Sequence, residues 1–255
     1  MKYAVCCVAL SAMRREPSHK VEMVSQQLFG ECCTVLEEIG DWAKIKCRYD
    51  DYQGWVQLAH LTEIDASEFA GNDEILTAEL VNEVDYQGNV MIVPFASAVT
   101  TLPGGRLSWS KNLIHYSGNT YNRSRISNTP QLVKEFALKY LNTPYLWGGK
   151  SVFGIDCSGF SQQVYKLLNL TIPRDASQQA LHGITINLLQ EVKCGDLAFF
   201  DNEDGAITHV GILLSENEIL HASGKVRLDK IEDQGIVNVE TNLRTHNLTI
   251  IKRYF

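Results

Sequence analysis

Residues 154–168 run Gly-Ile-Asp-Cys-Ser-Gly-Phe-Ser-Gln-Gln-Val-Tyr-Lys-Leu-Leu. Phe160, Val164, Leu167 and Leu168 recur at helical spacing, so a helix starts at or just after Cys157. A cysteine at a helix start meets unpaired N–H groups and partial positive charge, which favour thiolate over thiol and lower its pKa toward neutrality. The same amides can donate to the oxyanion of a tetrahedral intermediate, a donor worth on the order of 3 kcal/mol in a protease. Buried free cysteine is common and usually inert. Its neighbours decide.

Upstream, Leu132, Val133, Phe136, Ala137 and Tyr140 fall at helical spacing, and Thr143-Pro-Tyr-Leu-Trp-Gly-Gly149 leads toward the cysteine. Downstream come strands at Asp196–Phe200, His209–Leu214 and Ile219–Ala222, with a closing strand near Leu248–Arg253. Helices first and strands after predict an α+β domain. His209 opens a buried strand, where a bare imidazole is costly unless hydrogen-bonded, and it is the candidate base. His221 lies on the next strand, across a turn at Ser215-Glu216-Asn217, and is the candidate orienting group. A two-residue loop at Glu216-Asn217 would put the two histidines on opposite faces of the sheet; a bulge or an odd-length loop would bring them together. Asp196, in Gly-Asp-Leu, reads as a turn residue.

The chain has 255 residues, 45% of them hydrophobic, enough for a sizeable core in one large domain or two to three small ones. A net charge of −7 and the lack of a Lys/Arg cluster argue against a nucleic-acid partner. No apolar run approaches the roughly 18 residues of a membrane helix. Seven cysteines, with Cys6-Cys7 and Cys32-Cys33 adjacent, do not resemble a secreted disulfide framework and fit a reducing compartment. Neither C-x-x-C nor H-E-x-x-H occurs, so no metal site is expected. The apolar run Tyr3–Ala12 reads as a buried first strand, and alternatively as a short secretory signal.

Residues 1–62 carry short strands at Val21–Phe29, Cys33–Glu38, Trp42–Cys47 and Gly54–Leu58, separated by turn chemistry, the rhythm of a small barrel. A second strand-rich stretch, 63–125, includes Asn89–Val93, Ala98–Leu102 and Leu113–Tyr116, broken by Pro103-Gly104-Gly105. The polar stretch Ser117–Pro130 reads as a linker to a third region, 126–255.

Over residues 130–255 the ordered motifs Tyr-x-Trp-Gly-Gly, Asp-Cys-Ser-Gly-Phe, Gly-Asp-Leu-x-Phe-Phe, His-Val-Gly-Ile and Ile-x-His-Ala-Ser resemble the NlpC/P60 family of papain-like cell-wall peptidases. The resemblance implies a triad of Cys157, His209 and His221. Residues 13–18 and Asp51-Tyr52-Gln53-Gly54-Trp55-Val56 are similar to the bacterial SH3 modules that precede this domain in the γ-D-glutamyl-L-diamino acid endopeptidases. The middle stretch resembles a second such module by position and strand rhythm. The expected fold is therefore a papain-like α+β catalytic domain preceded by two small all-β SH3-like barrels.

By the same resemblance, the first module closes one end of the cleft, and the substrate is a short murein peptide with a free N-terminal L-Ala, cut after γ-D-glutamate. A free ammonium needs carboxylates and oxygen acceptors. Asp175 and Tyr52 match binding positions, with Glu22 as a further acid. Asp156 and Ser158 read either as helix caps or, by resemblance, as substrate contacts. Tyr145 and Trp147 read as cleft lining or as core packing. The chemistry calls for no metal or organic cofactor, and the implied setting is a monomer recycling peptides in the cytoplasm. Two rivals stay open: a papain-like amidase or acyltransferase acting on another amide, and an inactive peptidoglycan-binding protein.

Overall fold

The computed structural model describes residues 1–71, 75–99, 106–109 and 112–255. The chain divides into two compact units, residues 1–126 with 147–152, and residues 127–146 with 153–255. Among the described residues no helix is long and apolar enough to cross a membrane.

The first unit opens with β1 (Lys2–Cys6), β2 (Leu10–Arg14), β3 (Met23–Leu28), β4 (Cys32–Ile39), β5 (Trp42–Cys47), β6 (Gln53–Gln57) and β7 (Leu61–Ile64). They form one antiparallel sheet in the order β3-β2-β6-β5-β4-β1-β7. Ala4 of β1 and Met13 of β2, four places apart in that order, share an apolar cluster with Cys33, Ala43, Ile45 and Val56, so the sheet curls around its core. The apolar opening predicted as a single strand is two. β1 pairs with β4 and β7, whereas β2 pairs with β3 and β6, and the chain crosses between them at residues 7–9.

A short helix α1 (Ala66–Gly71) follows, absent from the sequence reading. Asp65 accepts from the Glu68 amide at 2.8 Å while Glu68 accepts from the Asp65 amide at 2.9 Å, the reciprocal pair that starts a helix. Next come β8 (Ile75–Thr77), β9 (Val81–Tyr86), β10 (Asn89–Pro94), β11 (Arg106–Trp109), β12 (Asn112–His115) and β13 (Thr120–Asn122). Four of these form an antiparallel sheet in the order β10-β9-β12-β11, and β13 pairs with β8. Of the strand expected at Ala98–Leu102, Ala98 makes an isolated bridge to Leu76, and 100–102 lie outside the described residues, as does the break at 103–105.

The boundary expected at residue 62 falls inside β7. Val5, Phe29, Cys32 and Ile64 share one buried cluster with Val84, Val93, Trp109 and Ile114. Apolar surface left on the first sheet is covered by the second stretch, so these two regions make one folding unit.

The second unit begins with α2 (Pro130–Lys139), where Pro130 needs no amide partner and the Thr129 hydroxyl accepts from the Leu132 amide at 3.3 Å. After two short strands, β14 (Lys150–Ser151) in the first unit and β15 (Gly154–Ile155) in the second, comes α3 (Cys157–Leu167), buried along its whole length. The chain continues through α4 (Ala176–Gln179), β16 (Ile184–Ile186), β17 (Leu197–Asp201), β18 (Ile207–Leu213), β19 (Glu218–Ser223), β20 (Lys225–Glu232), β21 (Gly235–Val237) and β22 (Arg244–Arg253). β22 pairs with β17 through residues 247–252 and with β21 through residues 244–247, so six strands close on themselves. Their inner face buries Ala198, Phe200, Leu213, Ile219, Ile231, Ile236 and Ile251. α3 packs against β18 and β19. Asp196 is a turn residue, accepting from the Lys193 amide and paired with Arg253 at 2.6 Å.

Candidate active site

Cys157 is the first residue of α3, and Asp156 is its N-cap, with Oδ1 accepting from the Gly159 amide at 2.7 Å. The cysteine thiol lies 3.9 Å from the Thr208 carbonyl oxygen. Thr208 is a bulge, because Phe200 stands opposite His209 while Asp201 stands opposite Ile207. The thiol therefore sits against the backbone next to His209.

The register brings the histidines together. Gly211 stands opposite His221, and Leu213 opposite Ile219, leaving five residues, 214–218, between the last paired positions, of which Glu218 already belongs to β19. The loop is odd in length, so His209 and His221 rise from the same face, the resolution the two-residue loop would have denied. His209 Nε2 is 2.8 Å from His221 Nδ1, and His221 Nε2 is 3.0 Å from Asp229 Oδ2. Gly211 makes this contact feasible: a Cβ there would meet His221 Cβ at 2.9 Å and Ile219 Cδ1 at 2.7 Å.

Asp229 decides the proton positions along this chain. Burial pushes its pKa up, but hydrogen bonds from His221, the Val239 amide and Arg227 outweigh that and hold it below the usual carboxylate value. An ionised Asp229 accepts, so His221 carries its proton on Nε2 and presents Nδ1 as an acceptor. His209 then donates from Nε2 and keeps a lone pair on Nδ1, the state a general base requires. Burial, with the neighbouring His221 and His246, holds the His209 pKa well below its ordinary value, so the ring rests neutral.

Cys157 departs from expectation. Burial and the adjacent Asp156 charge push its pKa up to about 12, against the opposing influence of the Val210 amide, Arg174 and the Ser158 amide. The helix start does not prevail over desolvation, and the free site holds a neutral thiol beside a neutral imidazole. For this sulfur to attack a carbonyl, the thiol proton would have to leave in the same step.

The other expected residues divide between the units. Asp156 is ion-paired with the buried Arg174 at 2.6 Å, and Ser158 Oγ accepts from the same guanidinium at 2.8 Å. The helix cap and the Arg174 ion pair thus both engage the Asp156 carboxylate. Asp175 follows Arg174 as N-cap residue of α4. Burial first, then the charges of Cys157 and Asp156, raise the Tyr145 phenol's pKa, which locates it near the nucleophile. Trp147, Glu22 and Tyr52 belong to the first unit. Trp147 is exposed, which rules out core packing for it, and its Nε1 donates to Glu22 Oε1 at 2.8 Å. Glu22 is also paired with Arg15 at 2.6 Å. Tyr52 packs against the first unit's apolar cluster.

Asp229, Arg174 and His246 were missed. Arg174 stood beside a residue that was singled out, and a cation flanking Asp175 was the available signal. Nothing in the sequence marked His246, whose ring stacks on His209 with centroids 4.1 Å apart. His209, His221 and His246 are the described residues that could hold a metal, with one ligand atom from each lying within 4.8 Å of the others. The facing edges of His209 and His221 are, however, engaged with each other.

Comparison with known proteins agrees with this architecture. Residues 142–245 match the NlpC/P60 family, and residues 13–61 match the bacterial dipeptidyl-peptidase SH3 domain. A γ-D-glutamyl-L-lysine dipeptidyl-peptidase of Bacillus cereus is 29% identical over 231 residues, 79% of this chain and 67% of that protein. Its Bacillus subtilis counterpart is 47% identical over 85 residues, 32% of this chain and 28% of that one. Dipeptidyl-peptidase 6 of Lysinibacillus sphaericus is 25% identical over 261 residues, covering 91% of this chain and 92% of its own. A crystal structure of an NlpC/P60 family protein from Bacillus cereus shares the fold, with a TM-score of 0.81 at 20% identity over 99% of both chains. The chain thus carries an NlpC/P60 domain of the cysteine-hydrolase type and a bacterial dipeptidyl-peptidase SH3 domain, and is a homologue of the γ-D-glutamyl-L-lysine dipeptidyl-peptidases.

Proposed function

We propose that this protein hydrolyses the bond between γ-D-glutamate and a diamino acid in short murein peptides that carry a free N-terminal L-Ala. The observation that carries the reading is the hydrogen-bonded chain His209–His221–Asp229 beside Cys157. Cys157 Sγ attacks the scissile carbonyl as His209 takes its proton. The oxyanion is met by first-turn amides of α3 and the Tyr145 hydroxyl. His209 returns the proton to the departing amine, leaving a thioester. Water, deprotonated by His209, then cleaves that thioester and regenerates the thiol.

For the peptide's ammonium we assign Asp175 in the second unit; Tyr52 and Glu22, in the first unit, are candidates on the resemblance alone. Glu22 is already shared by Arg15 and Trp147, so an added cation would compete for an occupied carboxylate. Residues 63–125 are read as a second SH3-like module on the support of their four-stranded antiparallel sheet, and 126–255 as the papain-like α+β domain. Seven unbridged cysteines support a reducing, cytoplasmic setting for peptide recycling, which the mass of the native amino terminus tests.

The test is mass-spectrometric cleavage of L-Ala-γ-D-Glu-Lys by wild type and Cys157→Ala, with the N-acetylated peptide in parallel. The expected result is release of L-Ala-γ-D-Glu by wild type only, from the free peptide only. Cleavage of both peptides would remove amino-terminal selection. Cleavage of neither would favour another amide substrate or a binding role.

A further inference from the structure

His246 lies in the half of β22 that closes the sheet, opposite Ile236. Its ring is nearly parallel to His209, at 23° and 4.1 Å between centroids, closer than Phe200 at 5.7 Å or His221 at 5.1 Å. Phe200 meets both rings at a tilt or edge-on. His246 is itself anchored, since its Nδ1 is 2.9 Å from Thr245 Oγ1, and that hydroxyl donates to the Ile236 carbonyl at 3.5 Å. Once the hydroxyl proton is spent on Ile236, the oxygen accepts from His246 Nδ1–H, which fixes this ring too.

We infer that His246 is a positioning residue for the catalytic base, its flat ring holding His209 in the plane set by the His221 hydrogen bond and supplying a neutral π face when His209 becomes an imidazolium. The inference rests on His209 acting as the base of Cys157. The His221 hydrogen bond restrains only one edge of His209 and Phe200 meets the ring at a tilt, so His246 is the surface that lies flat against it. A neutral aromatic face beneath a forming cation is attractive, whereas a second cation at 4.1 Å would oppose its formation. Burial, with the nearby His221, pushes the His246 pKa down to about 4 against the pull of Asp229, so the ring is neutral at neutral pH.

The test compares His246→Phe, His246→Leu and His246→Lys by two readouts. One is the rate of Cys157 alkylation by iodoacetamide, followed by peptide mass spectrometry, which needs His209 but no substrate. The other is kcat and KM on L-Ala-γ-D-Glu-Lys. The expected order is Phe within about threefold of wild type, Leu about tenfold slower in both alkylation and kcat with KM unchanged, and Lys slower still. Leu equal to Phe, or Lys equal to Leu, overturns the inference, as does a loss confined to KM. If alkylation follows the expected order while the peptide stays intact, the inference stands and the substrate reading falls.

Discussion

Cys157 and the thiols of the first unit share the same surroundings in bulk terms and differ in one direction only. Cys6, Cys33, Cys47 and Cys157 are all buried. Burial raises every one of these thiols, Cys33 and Cys157 alike to about 12 and Cys6 and Cys47 well above the ordinary value. What differs is the neighbour. Cys47 Sγ rests 3.7 Å from Met13 Sδ, and Cys6 Sγ points to the carbonyls of Val8 and Gln27. Cys157 abuts the strand that carries a neutral imidazole with its proton already directed away. In the proposed mechanism reactivity comes from an organised acceptor, and a depressed resting pKa is not required.

The comparison can be broken or sharpened in order of expected size. Cys157→Ala removes the nucleophile, and hydrolysis of the tripeptide falls by at least about 10⁴-fold in a discontinuous mass-spectrometric assay. Arg174→Met removes the cation that faces the buried Asp156 carboxylate, at 9% side-chain exposure, a loss of about 3–5 kcal/mol read by urea unfolding. Asp229→Asn no longer dictates the His221 tautomer; kcat falls about 100-fold with KM little changed, and alkylation of Cys157 slows in parallel. Were alkylation unaffected, the contrast between the thiols would lie elsewhere than in the base.

The smaller effects concern acid and packing. His209 and His246 have folded pKa values below the unfolded 6.5, so the unfolded chain binds more protons as pH falls from 6.5. Their contribution is fully present above 6.5 and is lost as pH drops, down to about 4 for His246. The melting midpoint should therefore fall across pH 6.5 to 4, less steeply in His246→Phe. Cys47→Ala should cost about 1 kcal/mol or slightly more in melting experiments and leave kcat unchanged, the mark of a thiol that only fills space.

The motifs around Cys157, His209 and His221 were legible because each is local: a cysteine before a helical pattern, a histidine opening an apolar run. So were the strands at Trp42–Cys47 and Asn89–Pro94, where turn residues flank alternating or apolar segments. Asp229 was hidden by its own strand. In Lys225–Glu232 Leu228 is 38% exposed and Asp229 is 2% exposed, the reverse of what residue type predicts. His246 needed knowledge of the sheet, since the pairing of β22 with β17 and β21 brings that strand to His209. The cluster joining Phe29 to Trp109 could not be read from strand rhythm, because it depends on which faces meet.

The five-residue connection 214–218 has a consequence for how this gene can vary. Surface loops usually accept insertions and deletions of any small size. Here, a change of one residue that is taken up by sliding β19 one step along β18, and not by the loop itself, would turn His221 outward and strand Asp229. A change of two would keep both rings on the inner face. Among functional descendants, length changes in this hairpin that shift the ladder should therefore come in even steps, a counting rule imposed by the pleat of the sheet.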